Sequence, residues 1–171
     1  PSCAQQKMLP QISEMASEKQ ETILQKEYVN DWFSMSLPED GWKEVISDGS
    51  ISLYAPDSEE SGTNITYSGV KMGKEIFGYT MNDWQDIYNK MYADSGVTVT
   101  VLSCEITDLS DCRAVNTYSE IQTNNSVLYL DVYDILALDG NVFELACVTN
   151  NKELLDIAYD PCLKTFKYVN M

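Results

Sequence analysis

Histidine is absent from this 171-residue sequence. Its absence excludes Ser–His–Asp and Cys–His catalytic systems, zinc sites built on paired histidines, and acid–base catalysis by imidazole. The chemistry that remains is that of carboxylate pairs, of lysine or tyrosine, and of oxygen-lined sites for hard cations. No pattern in the sequence identifies catalytic residues, a cofactor or a set of metal ligands, so we expect none of the three.

Positively charged residues are scarce as well. The chain has 11 Lys and Arg against 27 Asp and Glu, which gives a net charge of −16. Phosphate backbones and anionic lipid headgroups would be repelled, so nucleic acid and a bare acidic membrane are excluded as partners. The acidity either maintains solubility or favours a cationic ligand or metal. The acidic groups at 57–60 and 108–111 lack EF-hand spacing and are typical of solvated turns.

No apolar run is long enough to cross a bilayer, since the most continuous one, residues 127–138, is short and contains two aspartates. Residues 1–30 lack the basic start and apolar stretch of a signal peptide. We therefore expect a processed or trimmed chain that is extracytoplasmic, either secreted or at a bacterial cell-envelope surface. Cys3 is similar to the acylation site of bacterial lipoproteins, although Pro1 departs from that signal; a lipid anchor at Cys3 or upstream is left open.

The five cysteines form no C-x-x-C motif, which excludes zinc ribbons and thioredoxin-type sites. Cys104 and Cys112 predict a hairpin disulfide, because pairing them keeps a face of valines continuous across two strands. Cys147 on the last long strand and Cys162 in the closing helix are predicted to face one core and to form a second disulfide. The alternative for this second pair is two buried free thiols. Paired cysteines would indicate an oxidising compartment.

The chain divides into two parts in this interpretation. Residues 1–27 are rich in Gln, Glu, Ser and Lys and predict a tether or a loosely docked helix over 11–26. Residues 28–171 predict a single α+β domain. Within it, a hairpin signal at 47–50 joins two short strands, and 64–70 alternates as a further strand.

One helix has a clear signature. Thr80 is a good N-cap, Asp83 follows three residues later, and Trp84 begins an apolar stripe with helical spacing. Gly96 is suited to end the helix. The stripe is aromatic and predicts a core-facing surface of a helix over 80–95.

From residue 97 onward the sequence predicts an antiparallel meander and a closing helix. The strands are expected at 97–104, 112–122, 126–138 and 141–149. Tight two-residue turns are expected at Asn124-Asn125 and at Asp139-Gly140. A helical region over 151–167 follows, with Pro161 predicted to break it in two.

These turns fix which strand residues face one another. Ile121 is predicted to face Leu128, and Leu136 to face Phe143, which gives one core face rich in valine and leucine. Asp134 falls on that core face, where an unpaired carboxylate is costly. A bulge that turns Asp134 outward, hydrogen bonds that satisfy it, and a functional role are the three explanations left open.

The opposite face is the candidate ligand-binding surface. It carries tyrosines, which offer rigid amphipathic contacts, and acids that could orient a small polar or cationic ligand or an unknown partner protein. The alternative is that the helix over 80–95 covers this face. The candidate residues are Tyr118, Tyr129, Asp131, Tyr133 and Glu144.

Residues 33–42 read Phe-Ser-Met-Ser-Leu-Pro-Glu-Asp-Gly-Trp. This segment is similar to the strand, Leu-Pro, acidic turn and Gly-Trp opening of PsbP-like domains, and the later order of elements, ending in an aromatic such as Phe166, also resembles that family. The resemblance implies an α/β/α sandwich about an antiparallel sheet, used for binding and assembly rather than catalysis. The family includes photosystem extrinsic subunits, a Ran-binding import factor and exported bacterial lipoproteins; the net charge, the cysteines and the tether-like start favour the lipoprotein branch.

The sequence therefore predicts a non-catalytic binding or assembly module of an exported, envelope-tethered protein. The alternative is a histidine-free hydrolase that uses paired carboxylates on an extracellular substrate. The separation of two acids in a shared pocket distinguishes the two functions.

Overall fold

The computed structural model describes residues 20–24 and 26–169. Strands dominate this part of the chain. They are β1 (Gln20–Leu24), β2 (Glu27–Val29), β3 (Phe33–Ser36), β4 (Trp42–Ser47), β5 (Ser50–Tyr54), β6 (Asn64–Val70), β7 (Thr98–Leu109), β8 (Cys112–Gln122), β9 (Val127–Leu136), β10 (Val142–Thr149) and β11 (Lys167–Tyr168). The helical segments are α1 (Ser58–Ser61), a 3₁₀ helix (Lys74–Gly78), α2 (Met81–Met91), and a closing helix made of α3 (Lys152–Leu154), a π-helical turn (Leu155–Tyr159) and α4 (Asp160–Leu163).

The strands form two antiparallel sheets. The large sheet has the order β1-β4-β5-β6-β10-β9-β8-β7, and the small sheet has the order β11-β3-β2. The small sheet and the closing helix pack on one face of the large sheet, which we call the closing-helix face. The 3₁₀ helix and α2 pack on the other, the α2 face. The predicted α+β class, an antiparallel meander covered by helices, is confirmed.

Aromatic residues fill the core on the closing-helix face. Phe33 of the small sheet stacks on Phe166 with a ring separation of 4.9 Å, and Trp42 meets Tyr159 edge-on at 6.0 Å. Leu37 and Trp42, from the segment that resembles PsbP-like domains, are both fully buried here. That segment is therefore a structural element, because its apolar residues bind the small sheet to the large one.

The predicted helix near residue 80 is present as α2. The Thr80 side chain accepts a hydrogen bond from the backbone N–H of Asp83, and the Asp83 side chain accepts one from the backbone N–H of Thr80, which completes a capping box. Trp84 and Tyr88 are buried against the large sheet, and Tyr88 is hydrogen-bonded to Thr117 at 3.0 Å. α2 covers the valine face of the meander and leaves the tyrosine face to the closing helix.

The two hairpin turns differ in how well they were predicted. Ile121 faces Leu128 as expected, because Asn124-Asn125 is a two-residue connection. Leu136 faces Val142, one residue away from the predicted Phe143. The loop has three residues, since the Ala137 N–H donates to the Asn141 carbonyl and Gly140 takes a positive φ of 85°. The slip moves Phe143 and Leu145 to the closing-helix face.

The predicted disulfide between Cys104 and Cys112 is wrong. β7 runs on to Leu109, which pairs with Cys112, and Cys104 faces Thr117 instead. Cys104 lies five positions along β7 from Leu109, the residue that pairs with Cys112. Five positions span about 17 Å in an antiparallel strand, whereas a disulfide joins Cα atoms at most about 7 Å apart. Both residues are free thiols.

Cys147 and Cys162 are free thiols as well, so the second predicted disulfide is not formed in this structure. Cys147 is fully buried on the closing-helix face, as expected. Cys162 is only partly buried, because the helix ends at Leu163 and the inward position belongs to that leucine. The spacing of four residues between Cys162 and Phe166 does not define one helical stripe once the helix has ended.

The segment Gln20–Leu24 is a strand paired with β4, whereas a helix over 11–26 was predicted. Pairing at the sheet edge satisfies the backbone groups of both strands, which a weak apolar stripe in a helix would not outweigh. The rest of that predicted helix, and Cys3, lie outside the described residues. The division of the chain at residue 28 stays a prediction. No helix within the described residues has the length and apolar character needed to cross a membrane.

A buried aspartate lies under α2, beside a partly buried glutamate. Asp134 is fully buried on the α2 face, where it faces Glu144 across the β9–β10 ladder. Neither carboxylate oxygen of Asp134 has a hydrogen-bond partner among the described residues. Burial, and then the charge of Glu144, raises the pKa of Asp134 to about 8. No bulge turns Asp134 outward, and no hydrogen bond from the described part of the chain satisfies its carboxyl group. Asp134 is therefore buried in its protonated, uncharged form.

Asp134 should make the stability of this protein fall as the pH rises. In the unfolded chain its pKa is about 3.9, so between that value and about 8 the folded state holds a proton that the unfolded state has lost. The contribution to the free energy of unfolding should decrease by about 1.4 kcal/mol per pH unit in this window. Asp134→Asn should reduce the measured slope by about that amount in urea unfolding between about pH 5 and pH 7. The slope that remains is due to Asp131, whose pKa is also raised, to about 7. Asp94→Asn, an exposed control, should retain the full slope; equal slopes in both variants would refute the assignment.

Candidate functional site

The tyrosine face of the meander lies under the closing helix and opens into a polar pocket. We call it the acid pocket; its volume is about 220 Å³. Three of the predicted site residues, Tyr118, Asp131 and Tyr133, line it. The remaining lining residues are Ser103, Asn116, Asp156, Asp160 and Lys164.

Asp131 is at the bottom of the acid pocket. Only 3% of its surface is exposed. The Asn116 side-chain amide donates to Asp131 Oδ1 at 2.6 Å and to the Val132 carbonyl at 3.1 Å. Asn116 is held by neighbouring strand backbone, so it fixes the orientation of the Asp131 carboxylate.

Asp160 brings the closing helix to the same point. Its Oδ1 accepts a hydrogen bond from the Tyr133 hydroxyl at 2.5 Å, and its Oδ2 accepts one from Lys164 Nζ at 2.7 Å. The Asp160 carboxyl group also acts on Asp131, because a negative charge beside a carboxyl group favours its protonated form.

Burial is the main cause of an unusual pKa for Asp131. Desolvation raises it, the Asn116 hydrogen bond lowers it, and the Asp160 charge raises it again, with a result of about 7. Asp131 therefore changes charge near neutral pH. With Asp131 ionised, Asp131 and Asp160 carry two negative charges against one positive charge on Lys164, and Asp156 is paired with Lys152 at 3.0 Å. The pocket then has one negative charge in excess.

A π-helical turn places the helix acids. The predicted break at Pro161 does not occur; the helix continues through it after the wider turn Leu155–Tyr159. Proline lacks an N–H and clashes with the carbonyl four residues earlier in an α-helix, and a π turn changes that geometry. Asp156 and Asp160 both reach the acid pocket from this segment.

The strand side of the pocket depends on a bulge. The β7–β8 register shifts between Val101 and Ser103. The extra residue reverses which side chains point to which face, so Ser103 lines the acid pocket while Val101 is buried under α2. No turn or charge pattern in the sequence indicates this bulge.

Tyr118 completes the pocket with an unused polar group. Its hydroxyl is buried and has no hydrogen-bond partner among the described residues. Lys152 Nζ lies 5.7 Å from the centre of its ring, over the ring face. Tyr129 packs on the same closing-helix face but does not line the pocket.

Glu144 is not part of this site. It was predicted on the tyrosine face, but the three-residue loop before β10 shifts the register by one residue and puts Glu144 opposite Asp134 on the α2 face. Sequence reasoning missed five residues of the site: Ser103 and Asn116 on the strands, and Asp156, Asp160 and Lys164 of the closing helix. The spacing of four residues between the last three is the signal that could have found them, because it places all three on one side of a helix.

The acids do not assemble a metal site. Among residues 26–169, no three acidic or cysteine side chains converge as metal ligands do. What the acid pocket offers is a buried, oriented carboxylate, a second carboxylate and an unused hydroxyl, which together suit a ligand with several N–H donors and a positive charge.

Neither protein-family models nor curated proteins match this sequence. Solved structures do. The solution structure of cyanobacterial PsbP (CyanoP) from Synechocystis sp. PCC 6803 superposes with a TM-score of 0.60 at 12% identity, covering 84% of this chain and 91% of that one. A crystal structure of a protein from Bacteroides thetaiotaomicron VPI-5482 gives a TM-score of 0.51 at 17% identity, covering 86% of this chain and 50% of that one. The chain thus has the PsbP-like fold, as the resemblance implied.

Removal of the Asn116 amide should raise the pKa of Asp131 above 7, the value it has with that donor in place. The hydrogen bond stabilises the ionised carboxylate, so Asn116→Ala favours the protonated form. The measurement is a titration of the aspartate carboxyl carbons by NMR. Asn89→Ala, on the exposed side of α2, is the matched control and should leave the Asp131 midpoint unchanged. A midpoint near that of an ordinary aspartate in the unsubstituted protein would contradict the burial argument.

Proposed function

We propose that this chain is a non-catalytic binding module of an exported, envelope-tethered protein, and that the acid pocket binds a cationic group of a small polar ligand or of a partner protein. The observation that carries the proposal is the buried Asp131 carboxylate, held by Asn116 and left with one uncompensated negative charge beside Asp160 and Lys164. A desolvated charge of this kind is costly alone and favourable when a ligand of opposite charge arrives.

Two further features of the molecule support a cationic ligand. The net charge of −16 draws positive groups to the surface and repels nucleic acid and acidic membranes. The unused Tyr118 hydroxyl can accept a hydrogen bond from an ammonium or guanidinium donor while Asp131 supplies the charge. A planar guanidinium would satisfy both acceptors at once.

The geometry of the two acids favours binding over the hydrolase alternative. Glycoside hydrolysis needs carboxyl groups separated by about 5 Å or more, with the scissile bond between them. The Asn116 amide already occupies one oxygen of Asp131, which leaves that acid less free to act on a scissile bond. In addition, Tyr133 and Lys164 occupy both oxygens of Asp160.

Export and tethering remain part of the proposal. The acidic surface and the PsbP-like fold agree with an extracytoplasmic protein in the bacterial lipoprotein branch, with a lipid anchor at Cys3 or upstream. Mass spectrometry of the protein from its native membrane fraction would detect acylation of Cys3. An unmodified Cys3 together with a cytoplasmic location would overturn this part alone.

Asp131→Asn should weaken binding of methylguanidinium by about tenfold, because it removes the charge that pairs with the ligand. Binding is followed by NMR shift changes at Tyr118 and Tyr133. Affinity in the unsubstituted protein should increase as the pH rises through about 7, since the ionised form of Asp131 is the binding form. The exposed control Asp94→Asn should bind as the unsubstituted protein does.

Two results would count against the proposal. If Asp131→Asn and Asp94→Asn bind equally well, the cation is attracted only by the overall charge. If the protein cleaves aryl glycosides and both Asp131→Asn and Asp160→Asn abolish the cleavage, the hydrolase alternative is correct.

A further inference from the structure

A second concave surface lies at the other end of β9. We call it the aromatic groove; its volume is about 660 Å³. It is separate from the acid pocket, since Leu138 lies seven positions after Asp131 along β9 and its loop, a span of roughly 23 Å. The groove is lined by Asp31, Trp32, Gly49, Tyr67, Ala137, Leu138, Asp139, Phe143, Tyr168 and Val169.

The aromatic groove exposes large apolar side chains. Trp32 is 55% exposed and Leu138 is 78% exposed. The rings of Tyr67 and Phe143, which stack with their centres 5.4 Å apart, and Tyr168 line the same groove. A solvated apolar surface of this kind is unfavourable in water and gains free energy when a ligand covers it.

Trp32 is held in place before any ligand binds. The Asn30 side-chain oxygen accepts hydrogen bonds from the backbone N–H groups of Trp32, at 2.7 Å, and Phe33, at 2.8 Å. The Val169 N–H donates to the Trp32 carbonyl at 2.7 Å. A fixed backbone reduces the entropy that is lost on binding, which favours a surface built for contact.

All charged side chains that line the aromatic groove are negative. Asp31 and Asp139 are exposed at its rim, and the described lining residues include no lysine or arginine. Asn141 donates to Asp139 from both its backbone, at 3.0 Å, and its side chain, at 2.7 Å. These hydrogen bonds lower the pKa of Asp139, so Asp139 stays ionised.

The aromatic groove continues into a smaller hollow. That hollow, of about 210 Å³, shares Leu138 and Tyr168 with the groove and is lined further by Asp111 and Lys167. Two adjoining depressions that differ in polarity fit successive side chains of a linear chain better than they fit a single compact molecule.

We infer that the aromatic groove binds a short segment of a partner protein in which a bulky apolar residue stands beside lysine or arginine. The apolar side chain would cover Trp32, Phe143 and Leu138. The basic side chain would approach Asp31 or Asp139 at the rim. This inference does not depend on the acid pocket.

Trp32 provides a direct measurement. The other two tryptophans, Trp42 and Trp84, are 0% and 1% exposed, so acrylamide should quench the fluorescence of Trp32 alone. The probe is an amidated hexapeptide of alternating lysine and leucine, and its counterpart is the same peptide with glutamate in place of lysine. The lysine peptide should protect Trp32 in a saturable manner, and the glutamate peptide should not.

Leu138→Ser should weaken binding of the lysine peptide by about tenfold or more, because a large apolar contact is lost. Ile157→Ser, which changes another exposed apolar residue at 65% exposure, is the matched control and should bind normally. Both positions are at the surface, and unchanged circular dichroism would verify folding.

Four outcomes would overturn the inference. They are equal affinity of the lysine and glutamate peptides, unchanged affinity in Leu138→Ser, equal protection of Trp32 by maltotriose, and protection that increases with protein concentration in the absence of peptide. The third would indicate a sugar as the occupant, and the fourth would indicate a second copy of this chain.

Discussion

Burial of the central strands on both faces governs this structure. β8, β9 and β10 lie in the middle of an eight-stranded sheet, with α2 over one face and the closing helix and small sheet over the other. A polar side chain near the middle of these strands is therefore largely removed from water whichever way it points. Asp131 and Asp134 point in opposite directions and both have raised pKa values, with burial as the main cause in each. Asp131 is oriented by Asn116 in the acid pocket, and Asp134 is enclosed in the core under α2.

This constraint explains why the sequence predicted the elements better than it predicted their faces. Period-two alternation normally separates a wet face from a dry one. Here both faces are packed, so alternation of valine with tyrosine distinguishes two cores. The tyrosine face was predicted to be an open binding surface, with coverage by the helix over 80–95 as the alternative; it is covered instead by the closing helix. The tyrosine face is the floor of a second core and opens into the acid pocket where Asp131 and Tyr118 meet the closing helix.

Two features that depend only on residues close together in the sequence were predicted correctly. The capping box of Thr80 and the Asn124-Asn125 turn were correctly identified, because each depends on residues within one turn of chain. The loop at Asp139-Gly140 is one residue longer than expected. Glu144 therefore lies on the α2 face, whereas it was predicted on the tyrosine face. The closing-helix acids were missed for a different reason: Asp160 becomes part of a site only when tertiary packing brings it to Tyr133.

The order of strands also concentrates the long-range pairing of the large sheet in one ladder. β4, β5 and β6 pair as neighbours along the chain, as do β7, β8, β9 and β10. These two meanders meet only where β6 pairs with β10, from Asn64 opposite Val148 to Val70 opposite Val142. Within the large sheet, most of the loop-closure entropy is therefore lost when the β6–β10 ladder forms. The two meanders can each form from local hairpins. They become one cooperative folding unit when β6 pairs with β10.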